Sequence, residues 1–167
     1  MTLDELNRMD ESAFNAALGG VYEHSPWVAQ GVARRRPFAT LDALRRAMAD
    51  VVARAGEERQ LELIRAHPEL AGKAMVRKEL TSDSTTEQSG AGLTQCSPQE
   101  FARLTELNAL YNAKFGFPFI LAVKGHDRTG VIAEFARRVE SDRATEFAEC
   151  LRQIDRIAGL RLEALVR

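Results

Sequence analysis

Along most of this 167-residue chain, apolar residues return every three to four positions, and that period commits it to helices. The clearest stretch begins near Ala144, where Phe147, Cys150, Leu151, Ile154, Ile157, Ala158, Leu162 and Leu165 follow i, i+3, i+4, i+7 spacing. A strand could not use such a pattern, because its period of two would turn half of those side chains to solvent. Thr40 opens a second broad stripe, Leu41, Leu44, Ala47, Met48, Val51, Val52 and Ala55, which Gly56 closes. Asp10 and Gly19-Gly20 bracket a shorter one, Ala13, Phe14, Ala17 and Leu18. Ser25-Pro26 reads as N-cap and first helical position ahead of Trp27, Val28 and Val32, with Pro37 as the stop. Residues 57–66 make another helix, Ser97-Pro98-Gln99-Glu100 is a capping box for a helix ended by Gly116, and Thr129 can cap one carrying Ile132, Phe135, Ala136 and Val139. The expectation is an all-α, single-domain bundle of about seven or eight helices over residues 1–167.

Two stretches break the period. His67 ends an apolar-periodic segment and is followed by Pro68, which pushes the preceding residue out of the α region, so a helix stops at about this histidine. Carbonyls converging there favour imidazolium, the form a proton donor needs. Residues 84–88, Ser84-Thr85-Thr86-Glu87-Gln88, precede Gly90 and Gly92, and the run can turn sharply and present hydroxyl, carboxylate and amide groups together. His67 and Glu87 form a candidate acid/base pair, while Ser84 with Glu87 equally fits a Ser-x-x-Glu capping box. The second break is 117–123, a continuous apolar run interrupted by Pro118, which argues for an extended buried segment rather than a central strand. The main-chain groups of Phe119, Ile120, Leu121, Ala122 and Val123 need partners; they serve either a polar ligand or a plain core.

Arg161 lies inside the stripe of the last helix, within about 20° of Cys150 and Ile154 on a wheel advancing ~100° per residue. A cation aimed at a core must be paired. An internal salt bridge and a grip on an anionic substrate are both open to it.

Charge and composition exclude several classes. Lys plus Arg total 23 against 24 Asp plus Glu, a net charge of -1 that gives no reason to expect nucleic acid or an anionic membrane as partner. No segment reaches the ~20 apolar residues of a membrane span, and the acidic start, MTLDELNRMDE, lacks a signal-peptide core. Two distant cysteines, Cys96 and Cys150, suit a reducing compartment, and a cytoplasmic location is expected. Three scattered histidines without His-Glu-x-x-His or Cys-x-x-Cys make no metal site. His24 and His126 read as a structural and a loop histidine.

The strings HPELAGKA, TEQSGAGL and LNALYNAKFGFPFILAVKG, with VYEHSPWVA before them and RIAGLRLEAL after, resemble the 2-oxo-4-hydroxy-4-carboxy-5-ureidoimidazoline (OHCU) decarboxylases of urate breakdown over nearly the whole chain. The resemblance implies a cofactor-independent carboxy-lyase with no metal, acting on a small ureide as a homodimer; the apolar surface of the shorter helices suits that assembly. It implies His67 as catalytic acid, with Glu87 and Arg161 beside it. It places substrate contacts on Pro68, Ser84, Thr85, Thr86, Glu87, Gln88, on residues 119–123 and on Arg161. A non-catalytic helical module that binds a ureide or a partner protein through the same cleft is the alternative the sequence leaves open.

Overall fold

The computed structural model describes residues 1–167 and is all-helical, as the periodicity requires. In chain order its helices are α1 (Leu3–Arg8), α2 (Glu11–Leu18), α3 (Trp27–Val32), α4 (Leu41–Arg54), α5 (Glu57–Ala66), α6 (Lys73–Val76), α7 (Ser82–Gly90), α8 (Pro98–Phe115), α9 (Arg128–Val139) and α10 (Arg143–Leu165). Ten helices exceed the expected seven or eight because α1 and α6 are too short to leave a periodic stripe. The residues fall into two compact units, one of Met1–Ala66 with Ile154–Arg167, the other of His67–Gln153. No helix is long and apolar enough to cross a membrane.

In the first unit the caps do what their residue types dictate. Asp10 accepts from Ala13 N at 2.7 Å, Thr40 accepts from Ala43 N at 3.0 Å, and Thr2 with Glu5 closes a full capping box. Helix α3 departs from expectation. Its N-cap is Pro26 with no side-chain bond, because the buried Ser25 hydroxyl donates instead to Glu23 O at 2.9 Å. Helices α3 and α4 approach closely at Gly31, where a Cβ would lie 2.9 Å from Val51 Cγ1, so glycine is required there. Leu6, Phe14, Val28, Val32, Leu44 and Met48 are wholly buried in this unit, and each contributes roughly 1.5–3 kcal/mol by leaving water.

In the second unit, Ser97 and Glu100 form the expected capping box of α8, and the Ser97 main-chain hydrogen bond holds the Glu100 carboxyl below its ordinary value. Gly116 ends α8 at φ +77, a left-handed conformation that costs glycine little. Helix α9 is capped by Asp127, whose Oδ1 accepts from Gly130 N at 2.7 Å, and not by Thr129. Its buried face carries Val131, Phe135 and Arg138, with Ile132, Ala136 and Val139 only half-buried.

That arginine is the unexpected centre of the unit. Arg138 and Glu146 pair at 2.8 Å with side chains 1% and 2% exposed. Tyr111 Oη donates to the same Glu146 oxygen at 2.6 Å, Arg138 Nη1 donates to Ile120 O, and the guanidinium lies 4.4 Å over the Phe119 ring. Buried ions survive only when their remaining hydrogen-bonding capacity is used. Here α8, α9, α10 and the 117–123 segment all contribute to that satisfaction.

Removing one partner strands the other charge. Arg138→Met should lower stability by about 3–5 kcal/mol in urea unfolding, and the double variant Arg138→Met with Glu146→Met should recover much of it. Equal stability of Arg138→Met and the native chain would show the pair to be dispensable.

Candidate active site

His67 follows the last residue of α5 and is buried at 7% exposure, with half-buried Pro68 after it. The helix stop was legible from Pro68, but what fixes the turn beyond it was not. Ala71, buried and at φ +49, occupies a left-handed conformation that alanine rarely adopts. Its N–H donates to Gln88 Oε1 at 2.9 Å, and Gln88 Nε2 donates to Glu69 O at 3.4 Å. From α8, Asn108 Nδ2 donates to Leu70 O at 3.0 Å and Asn112 Nδ2 to Glu69 Oε1 at 2.8 Å. Three amide side chains from two helices therefore hold the turn that carries His67. A cavity of about 450 Å³ lies against it, lined among others by Glu69, Lys73, Asn108 and Asn112.

Residues 84–88 do not form the sharp turn their composition allowed. They lie within α7, whose N-cap is Thr81, accepting from Ser84 N at 3.2 Å. Ser84 and Glu87 are thus both inside the helix, and the Ser84–Glu87 capping box does not occur. The reason is local: Thr81 offers a hydroxyl one turn earlier, and Thr85 and Thr86 bond back to Thr81 O at 2.9 Å and Ser82 O at 3.0 Å. Ser84 and Gln88, four residues apart, share the buried face; Glu87 is half-buried, and Thr85 and Thr86 are exposed. Thr85 and Gln88 also line a second cavity of about 590 Å³. Gln88 is the link that brings α7 to the His67 turn.

Phe119, Ile120, Leu121, Ala122 and Val123 are all buried and belong to neither helix nor strand. Side chains supply the partners a sheet would have supplied. Ala122 N donates to Gln153 Oε1 at 2.9 Å, and Ile120 O accepts from Arg138. Burial raises the Cys150 thiol and the Tyr111 phenol above their ordinary values, so both stay protonated and serve as packing and hydrogen-bonding groups.

In the other unit Arg161, 8% exposed, pairs with Glu23 Oε2 at 2.7 Å, and its Nη1 also lies 3.3 Å from Gly20 O and 3.4 Å from Val21 O. The internal salt bridge that the sequence allowed for Arg161 is therefore formed. Sequence reasoning missed Glu23, Asn108, Asn112, Arg138, Glu146 and Gln153. Asn108 and Arg138 carried a usable signal, a polar residue inside an apolar stripe. The others stand next to such stripes and reveal nothing until their partners are known. No three His, Cys, Asp or Glu side chains come together to hold a metal ion.

A sequence model of the family described as OHCU decarboxylase matches residues 7–163. The chain belongs to that family. The 2-oxo-4-hydroxy-4-carboxy-5-ureidoimidazoline decarboxylase of Haloferax volcanii is 42% identical over 162 residues, covering 97% of this chain and 94% of its own length. A uric acid degradation bifunctional protein of Bacillus subtilis is 42% identical over 165 residues, covering 99% of this chain and 33% of its own. The crystal structure of an (S)-allantoin synthase superposes with a TM-score of 0.81 at 29% identity; it covers 99% of this chain, which spans 54% of that one.

Within this OHCU decarboxylase family member, Gln88→Leu would leave the buried Ala71 N–H without an acceptor. A destabilisation of about 1–3 kcal/mol in urea unfolding, with faster amide exchange at Ala71, is the expected result. Unchanged exchange at Ala71 would contradict the clamp.

Proposed function

We propose that this chain decarboxylates OHCU to (S)-allantoin in urate breakdown, without a cofactor and with His67 as proton donor. The family match over residues 7–163 carries the reading, and relatives that the chain covers almost end to end bear the same activity in their names. The proposed site comprises Pro68, Ser84, Thr85, Thr86, Glu87 and Gln88, residues 119–123 and Arg161. One decarboxylase domain over 1–167, a homodimeric assembly and a cytoplasmic location belong to the same proposal.

The chemistry asks little of the protein beyond orientation and one proton. The C–C bond to the departing carboxylate must align with the ring C=N, so that its electron pair moves into that π system as carbon dioxide leaves. The pair ends on the ring nitrogen of that C=N, which takes up the proton the enol hydroxyl gives up as it becomes the allantoin carbonyl, and the one proton from outside reaches the ureido-bearing carbon. His67 delivers that proton to one face, which is why a single enantiomer forms. Glu87 and the 119–123 segment orient the ureide. Arg161, whose charge Glu23 already balances, orients a polar group of the substrate; a tight grip on the departing carboxylate would stabilise the ground state instead.

General acid catalysis is worth roughly a hundred- to ten-thousand-fold, so His67→Ala should lose stereoselective acceleration of OHCU decay by that order while far-UV circular dichroism stays native. Full activity in His67→Ala would remove the imidazole from the role.

A further inference from the structure

The 119–123 segment sorts its main-chain groups by parity. Ile120 O accepts from Arg138 Nη1. Two residues on, Ala122 N–H donates to Gln153 Oε1 at 2.9 Å, and Gln153 Nε2 is itself held by Glu149 Oε1 at 2.8 Å. In extended backbone the N–H and C=O of one residue point to one side and those of its neighbours to the other. Ile120 and Ala122 are therefore turned toward α9 and α10, and Leu121 is turned away from them. Leu121 is buried at 6% exposure, and neither its N–H nor its C=O has a partner within the chain; the same holds for Phe119, which shares its parity. Buried main-chain groups are rarely left so, because the loss of water is then uncompensated. A donor and an acceptor on one residue, facing one way, match the adjacent N–H and C=O of a ureide.

We infer that Gln153 is a positioning residue that sets the register of this segment, so that Leu121, and neither Ile120 nor Ala122, presents its N–H and C=O to the ureide. This rests on the proposed decarboxylase reading for the identity of the ligand, but the anchoring of Ala122 does not. Gln153 is half-buried, which lets its side chain be changed without opening the core.

Two variants separate the acceptor from the shape. Gln153→Met keeps the bulk and loses the acceptor; Gln153→Glu combined with Glu149→Gln exchanges the two groups and retains both hydrogen bonds. Residue-resolved amide exchange of the unliganded protein should show Ala122 protected relative to Leu121, with Ala122 released by about tenfold in Gln153→Met. With OHCU, Gln153→Met should raise KM about tenfold with a much smaller change in kcat, and the exchanged pair should restore it. Ala122 exchanging as freely as Leu121 in the native chain, or a native KM in Gln153→Met, would overturn the inference. If the native chain leaves OHCU decay unaccelerated, the decarboxylase reading fails and takes the role of Leu121 with it, while the exchange data still decide whether Gln153 holds Ala122.

Discussion

An ion pair buried at 1–2% exposure is the constraint on which the second unit depends. Taking Arg138 and Glu146 out of water is costly, and their mutual attraction offsets that cost only if every remaining donor and acceptor finds work. Tyr111 and the Ile120 carbonyl complete the set, and the Phe119 ring faces the guanidinium. The consequence reaches past stability. A run such as Phe117–Val123, with neither helix nor sheet to satisfy it, would otherwise be a liability in a core; the pair makes it a fixed ledge instead.

The same device recurs in each unit where the chain leaves helical geometry. The turn after His67 is held by the amides of Gln88, Asn108 and Asn112, which absorb the left-handed Ala71. Arg161 lies against the carbonyls of Gly20 and Val21 while it pairs with Glu23. Helices form the frame, and buried amides and guanidinia fix the irregular stretches. Irregular stretches are where main-chain groups can be aimed at a ligand, which is why the proposed site draws on them.

How much of this could be read from the chain follows from how local each signal is. Thr40, Asp10, Ser97 with Glu100, and Gly116 act within one turn of their own position, and the helices they bound stand where the sequence puts them. The stop at His67-Pro68 is equally local. Residues 84–88 misled because the deciding hydroxyl is Thr81, outside the motif, and because the Thr85 and Thr86 hydroxyls turn back to Thr81 O and Ser82 O within the helix. Thr129 lost its capping place to Asp127, two positions earlier, since either side chain suits the position and the local sequence does not rank them. Arg161 was visible as a polar residue in an apolar stripe, whereas Glu23, 138 positions away, could not be named as its partner. The family resemblance supplied His67, Glu87 and Arg161 as a set; nothing in spacing links them.

The central claim is that this chain turns OHCU into allantoin of one hand, and optical activity reads it directly. Freshly generated OHCU is mixed with a catalytic amount of the protein, and circular dichroism is followed against the spontaneous reaction, which gives racemic product. The account predicts a signal of the (S)-allantoin sign that rises faster than the uncatalysed decay and scales with protein concentration. A decay unchanged in rate, ending in product without optical activity, would contradict it.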